Sequence, residues 1–180
     1  MISHAAQDSF ERIFFQAART RLTTDAAHAC DIVPAAAPER AGQALSAEVL
    51  VLTIAAIDFR IVMLLQFSDD EGTRAYYGAE GAERTLHDAA MEIGNLCCGA
   101  VNQQLVEHFS DLGMSTPYAL PSDCMGYLDE LKPSYIAVYD ITIEHAARLR
   151  ATLCVCASAA VDFVAQVADV HESAGELELF

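Results

Sequence analysis

From Phe59 to Phe67 the chain alternates strictly: Phe59, Ile61, Met63, Leu65 and Phe67 fall on one side, with Arg60, Val62, Leu64 and Gln66 between them. A period of two predicts a strand with one strongly buried face. The run before it, Ala47 to Ala56, has too many apolar residues on both faces to be an exposed edge. Later in the chain, Ser134 to Glu144 puts Tyr135, Ala137, Tyr139, Ile141 and Ile143 on one face. Arg148 to Cys156 does the same with Leu149, Ala151, Leu153 and Val155, and the short link around His145 predicts a hairpin. Strands joined by short links pair antiparallel, and a sheet with one apolar face needs helices over it. The expected fold class is α+β, a mainly antiparallel sheet with long helices packed on one face.

Helical spacing marks the covering elements. His4 to Ala29 carries Phe10, Phe14, Ala17 and Arg21 in steps of three and four, with Ile13, Ala18 and Leu22 beside them. Pro34, Pro38 and Gly42 then predict a loop. The Ser68 to Gly72 segment ends a strand and offers Ser or Asp as the cap of a short helix reaching about Tyr77. The longest helical stretch is Ala82 to Asp111, with Gly113 as its expected C-cap. Pro117, Pro121 and Pro133 predict turns and extended pieces, and Ala159 to His171 predicts a last helix. The chain therefore divides into an N-terminal helix (1–30), a core (31–157) and a C-terminal helical extension with a loose acidic tail (158–180).

Charge and cysteine usage exclude whole classes of function. With 10 Lys and Arg against 26 Asp and Glu, the net charge is -16. Nucleic acid demands a basic footprint and anionic lipid attracts one, so neither is an expected partner. The six cysteines contain no C-x-x-C, and no H-E-x-x-H, phosphate-cradling Gly loop or nucleophile elbow is present. No metal site is expected, and Cys97, Cys98, Cys154 and Cys156 are expected to pack rather than react. Met1 to Phe15 lacks a basic start followed by an apolar run, so the expectation is a reduced, cytoplasmic protein.

The long helix holds the sharpest pattern. At about 100° per residue, Leu86, Ala90, Ile93, Cys97 and Val101 cluster on one side. Opposite them lie Asp88, Glu92, Asn95, Gly99 and Asn102, a stripe with no Lys or Arg. Gly94 and Gly99 each cost about 1 kcal/mol of helix propensity relative to Ala, which predicts a helix shaped for close approach by another surface. Periodicity alone would make this stripe an ordinary solvated face.

The motif adds more. Asp88-x3-Glu92-x2-Asn95-x3-Gly99, followed by Pro117 22 residues beyond Asn95, resembles the signature of the CheC/CheX/FliY chemotaxis phosphatases. A single E-x-x-N is similar to CheX more than to CheC. The family's Gly-rich turn between its first strands stands here as Ala55-Ala56-Ile57-Asp58, and the segment after Ala157 has no counterpart.

The resemblance implies a phosphatase that stimulates hydrolysis of the aspartyl phosphate on a CheY-like receiver domain. In it Asn95 orients the attacking water and Glu92 meets a receiver lysine; both are the catalytic candidates. Asp88, Gly99 and Asn102 would belong to the partner-binding face. The chain itself would hold no cofactor, because the Mg2+ sits on the receiver, and a homodimer joined through sheet edges is implied as well. The rival implication is a non-enzymatic module of the same fold, docking a receiver, a CheD-like protein or a flagellar switch partner.

Overall fold

The computed structural model describes residues 1–35, 45–78 and 84–166. Helix α1 is His4–Arg21; strands β1 (Cys30–Pro34), β2 (Glu48–Ala55) and β3 (Phe59–Phe67) follow. Then come α2 (Glu71–Tyr76), α3 (Leu86–Leu105), the short strands β4 (Gly113–Met114) and β5 (Tyr118–Pro121), a 3-10 helix (Ser122–Leu131), β6 (Tyr135–Ile143) and β7 (Ala147–Ala157). The strands form one seven-stranded sheet in the order β1-β6-β7-β3-β2, with β4 and β5 sharing the far edge of β2. Every strand pairing in it is antiparallel. The α+β expectation is met.

The alternation read from the sequence sets which face each strand buries. Phe59, Ile61, Met63, Leu65 and Phe67 join Leu50, Leu52, Ile54, Ile141, Leu149 and Leu153 under α1 and α3. Full burial of each such side chain contributes about 1.5–3 kcal/mol. Phe14, fully buried on α1, stacks on Tyr139 of β6 with ring centres 5.9 Å apart. The opposite face of the sheet is apolar too. Val49, Val51, Val62, Leu64 and Cys154 are buried there, covered by Cys124, Met125 and Leu128 of the 3-10 helix. That second layer explains why β2 reads as apolar on both sides.

Several expected boundaries move. Helix α1 stops at Arg21 rather than Ala29, because Asp25 bonds the Ala27 N–H at 2.8 Å and Thr24 N–H turns to Tyr76 Oη at 2.9 Å. Helix α3 ends at Leu105, and Gly113 is not its cap but part of β4, paired with Ala55. Pro38 and Gly42 lie outside the described residues, whereas Pro34 closes an edge strand, a place where a missing N–H costs little. Residues 159–166 form no helix: Val161 bridges Ile2 in parallel, and Phe163 packs on Phe10 and Phe109 at 5.0 and 5.1 Å. Ala165 N–H donates to Ser9 Oγ at 3.0 Å, which ties this segment to α1. The remainder of the expected last helix, 167–171, lies outside the described residues, as does the acidic tail.

Asp70 anchors the turn from β3 into α2. Its carboxylate accepts from Thr73 N–H (2.8 Å), from Ser68 Oγ (2.6 Å) and from the Arg148 guanidinium (2.8 Å). Burial opposes ionisation, but these donors outweigh it and hold Asp70 well below the ordinary carboxylate range. A depressed folded-state pKa stabilises the fold above the unfolded value, near pH 4. That contribution is therefore lost as pH falls below about 4. Asp70→Ala is expected to cost about 1–2 kcal/mol at neutral pH, the size of a lost helix cap. It should also flatten the acid limb of the stability profile, which urea melts across pH 2.5 to 7 would measure.

Candidate functional site

Helix α3 begins with a reciprocal cap. Thr85 Oγ1 accepts from the Asp88 N–H at 3.1 Å, and Asp88 Oδ2 accepts from Thr85 N–H at 3.1 Å and its hydroxyl at 2.6 Å. The T-x-x-D spacing is the sequence signal for this cap, and it places the helix start four residues later than Ala82. The Thr85 hydroxyl and N–H hold the Asp88 carboxyl below its ordinary range. Asp88 thus lies on the stripe as expected, but its Oδ2 serves the helix start.

From that start the helix runs beside β2, its inner side set into the sheet. Ala89, Ile93, Cys97, Cys98, Val101 and Leu105 are buried. A Cβ added at Gly94 would clash with Leu50 Cδ2, so this glycine lets α3 approach β2. It is spent on the protein's own core, contrary to the expectation that both glycines serve an outside surface. Gly99 is the other case, since a Cβ there meets nothing within 4 Å among the described residues.

Glu92 and Asn95 are exposed, one turn apart on the outer side of α3. Asn95 makes no hydrogen bond to any described residue, so its amide is free to donate and accept. Glu92 Oε2 receives the Arg84 guanidinium at 2.8 Å; Arg84 falls inside the expected helix, four residues before Asp88, but the stripe drawn from Asp88 onward leaves it out, and the structure places it ahead of the helix start. Asn102 differs from Asn95: it is half-buried, and its Oδ1 is covered and without a hydrogen-bond partner among the described residues. His87 turns to Glu48 of β2 at 3.1 Å, off the stripe.

Pro117 falls in the gap between β4 and β5 on the sheet edge beside β2. There the ladder is interrupted: Ser115 N–H donates to Thr53 O, and Thr53 N–H is taken by Ser115 Oγ at 3.0 Å. A residue without an N–H suits that break.

Other chemistry is sparse. An apolar cavity of about 330 Å³ lies between the start of α3 and the edge strands, lined by Leu50, Phe67, Leu86, Ala90 and Met91 among others. Among the described residues no group of three or more His, Cys, Asp or Glu could hold a metal ion. Burial pushes the thiols up, Cys98 to about 12 and Cys30 to about 11, which keeps them protonated and unreactive. Among the described residues no helix is long and apolar enough to cross a membrane.

The fold is that of the CheX and CheC-like chemotaxis proteins. It matches the solved CheX of Vibrio vulnificus with a TM-score of 0.56 at 14% identity, over 82% of this chain and 99% of that one. CheX of Desulfovibrio desulfuricans matches with a TM-score of 0.57 at 13% identity, over 82% and 99% of the two chains. A third match, with a TM-score of 0.56 at 11% identity over 83% and 96%, is the CheX-CheY-BeF3-Mg2+ complex of Borrelia burgdorferi. No protein-family model matches the sequence, and no curated protein is similar to it.

Proposed function

We propose that the chain is a phosphatase for the aspartyl phosphate of a CheY-like receiver, working in a chemotaxis or two-component pathway in the cytoplasm. The observation that carries this reading is the pair Glu92 and Asn95, exposed one turn apart on a helix whose inner side is locked into the core. A rigid element presenting two polar side chains outward is what insertion into a partner's site requires. The CheX fold shared with a protein solved in complex with CheY supports the choice of partner.

In the proposed reaction the receiver brings the acyl phosphate and its Mg2+, which neutralises phosphoryl charge. This chain brings orientation. The Asn95 carbonyl accepts a hydrogen bond from a water and its amide donates to a phosphoryl oxygen, holding the water in line with the P–O bond to the aspartate. As the water oxygen bonds to phosphorus, that P–O bond breaks and its electron pair returns to the receiver's aspartate carboxylate; inorganic phosphate is released, and the water's protons pass to phosphate and solvent. Glu92 pairs with the receiver's lysine and sets docking depth. Asp88, Gly99 and Asn102 flank this pair, and a homodimer through a sheet edge completes the reading. The net charge of -16 gives no long-range pull on an acidic receiver, so local contacts must fix the complex.

The test is single-turnover decay of a phosphorylated receiver from the same cell with and without the chain. Accelerated decay is expected. Glu92→Ala should weaken binding by about ten-fold and slow decay with it, in keeping with a lost charge-assisted contact. Binding without faster decay would overturn the phosphatase reading and make the chain a docking module; the absence of both would overturn the choice of partner as well.

A further inference from the structure

In the isolated chain Glu92 is already occupied. Arg84 Nη2 stands 2.8 Å from Glu92 Oε2, with side chains 42% and 65% exposed. Arg84 directly precedes the cap residue Thr85, so it lies outside the helix and reaches along its outer face past the first turn. Helix α3 itself, Leu86–Leu105, contains no Lys or Arg, so the cation beside Glu92 comes from the helix entry.

We infer that Arg84 is a specificity-determining residue of the docking face, holding Glu92 until a partner presents a better-placed cation. The inference rests on the reading of Glu92 as the docking carboxylate. An exposed pair of this kind is weak, which makes it easy to exchange. A receiver with a lysine at the matching position replaces one ion pair by another that docking desolvates, and desolvation strengthens the new pair. A partner without that cation leaves Arg84 in place and meets a guanidinium on its path. Discrimination then arises from a competing internal contact as well as from the attraction itself. Because one ion pair is exchanged for another, the affinity should also depend only shallowly on salt.

The full chain is titrated with a CheY-like receiver domain activated by beryllofluoride and Mg2+, and decay of the phosphorylated receiver is followed in parallel. Arg84→Gln is expected to tighten binding and lower the half-saturating concentration about two- to five-fold, the range of an exposed pair. The rate at saturation should stay as it was, and the salt dependence should steepen. Arg84→Lys should restore near-wild-type affinity, and in a Glu92→Gln background Arg84→Gln should change nothing. If Glu92→Gln weakens binding while Arg84→Gln leaves it unchanged or weakens it, the role given to Arg84 is overturned alone. If Glu92→Gln binds as wild type, the docking role of Glu92 fails, and this inference fails with it.

Discussion

Asn95→Ala should remove stimulated dephosphorylation, lowering the saturating decay rate by about a hundred-fold or more, while the chain still binds its receiver. The magnitude follows from the proposed role. A side chain that fixes a water in line and donates to a developing oxyanion acts mainly in the transition state, and losing one such donor costs about 10²–10³ in rate. Binding should persist because Glu92 and the rest of the outer face are untouched. The variant is also a clean probe of chemistry. Asn95 is exposed and makes no hydrogen bond to a described residue, and Ala is the better helix former, so α3 should gain a few tenths of a kcal/mol rather than lose stability. A thermal melt would show Tm at or above wild type, and titration with the activated receiver would give a Kd within about two-fold. An unaltered decay rate would remove Asn95 from the mechanism. Loss of rate together with loss of binding would make it a docking residue.

Why this pair was legible in the sequence, and other features were not, comes down to the range of the physics involved. Strict alternation from Phe59 to Phe67 is a local signal, and the structure pairs those residues with β2 and β7 in the register that buries them. The motif helix was equally local, since helical period alone puts Glu92 and Asn95 on the side opposite Ile93, Cys97 and Val101.

What escaped was non-local. The edge strand Cys30–Pro34 exists because β6 offers it a ladder, from Cys30 with Ile143 to Pro34 with Tyr139, and nothing in five residues ending in proline announces that. The apolar side chains of the 3-10 helix face a second buried layer, Val49, Val51, Val62, Leu64 and Cys154, drawn from three strands. The segment after β7 has helical spacing yet forms no helix through residue 166, because its partners are Ile2, Ser9, Phe10 and Phe109, contributed by distant parts of the chain. Gly94 was misjudged for the same reason. Its purpose is Leu50, more than forty positions earlier in the sequence. Arg84 escaped because the stripe was drawn from Asp88 onward, although the expected helix reached back to Ala82.

Gly99 separates the proposed docking face from an ordinary solvated surface, and replacing it should raise stability while lowering activity. A glycine inside a helix costs about 1 kcal/mol relative to Ala, and at Gly99 no neighbour within 4 Å among the described residues accounts for that cost. Gly94 has such an account in Leu50, so the two glycines of one helix are opposite cases. Gly99→Ala is expected to stabilise the chain by up to about 1 kcal/mol, read as a higher urea midpoint with unchanged slope. Gly99→Trp should fold at least as well as wild type, because its ring would project into open space one turn beyond Asn95. If a receiver approaches that face closely, the ring holds it off. The half-saturating concentration in the decay assay should then rise about ten-fold or more, the scale of an over-packed contact, and Asn95 would no longer reach the phosphoryl group. Such a pairing of gained stability with lost activity belongs to positions kept open for a partner. A Gly99→Trp protein that binds and dephosphorylates the receiver like wild type would mean that the partner does not approach this part of the helix.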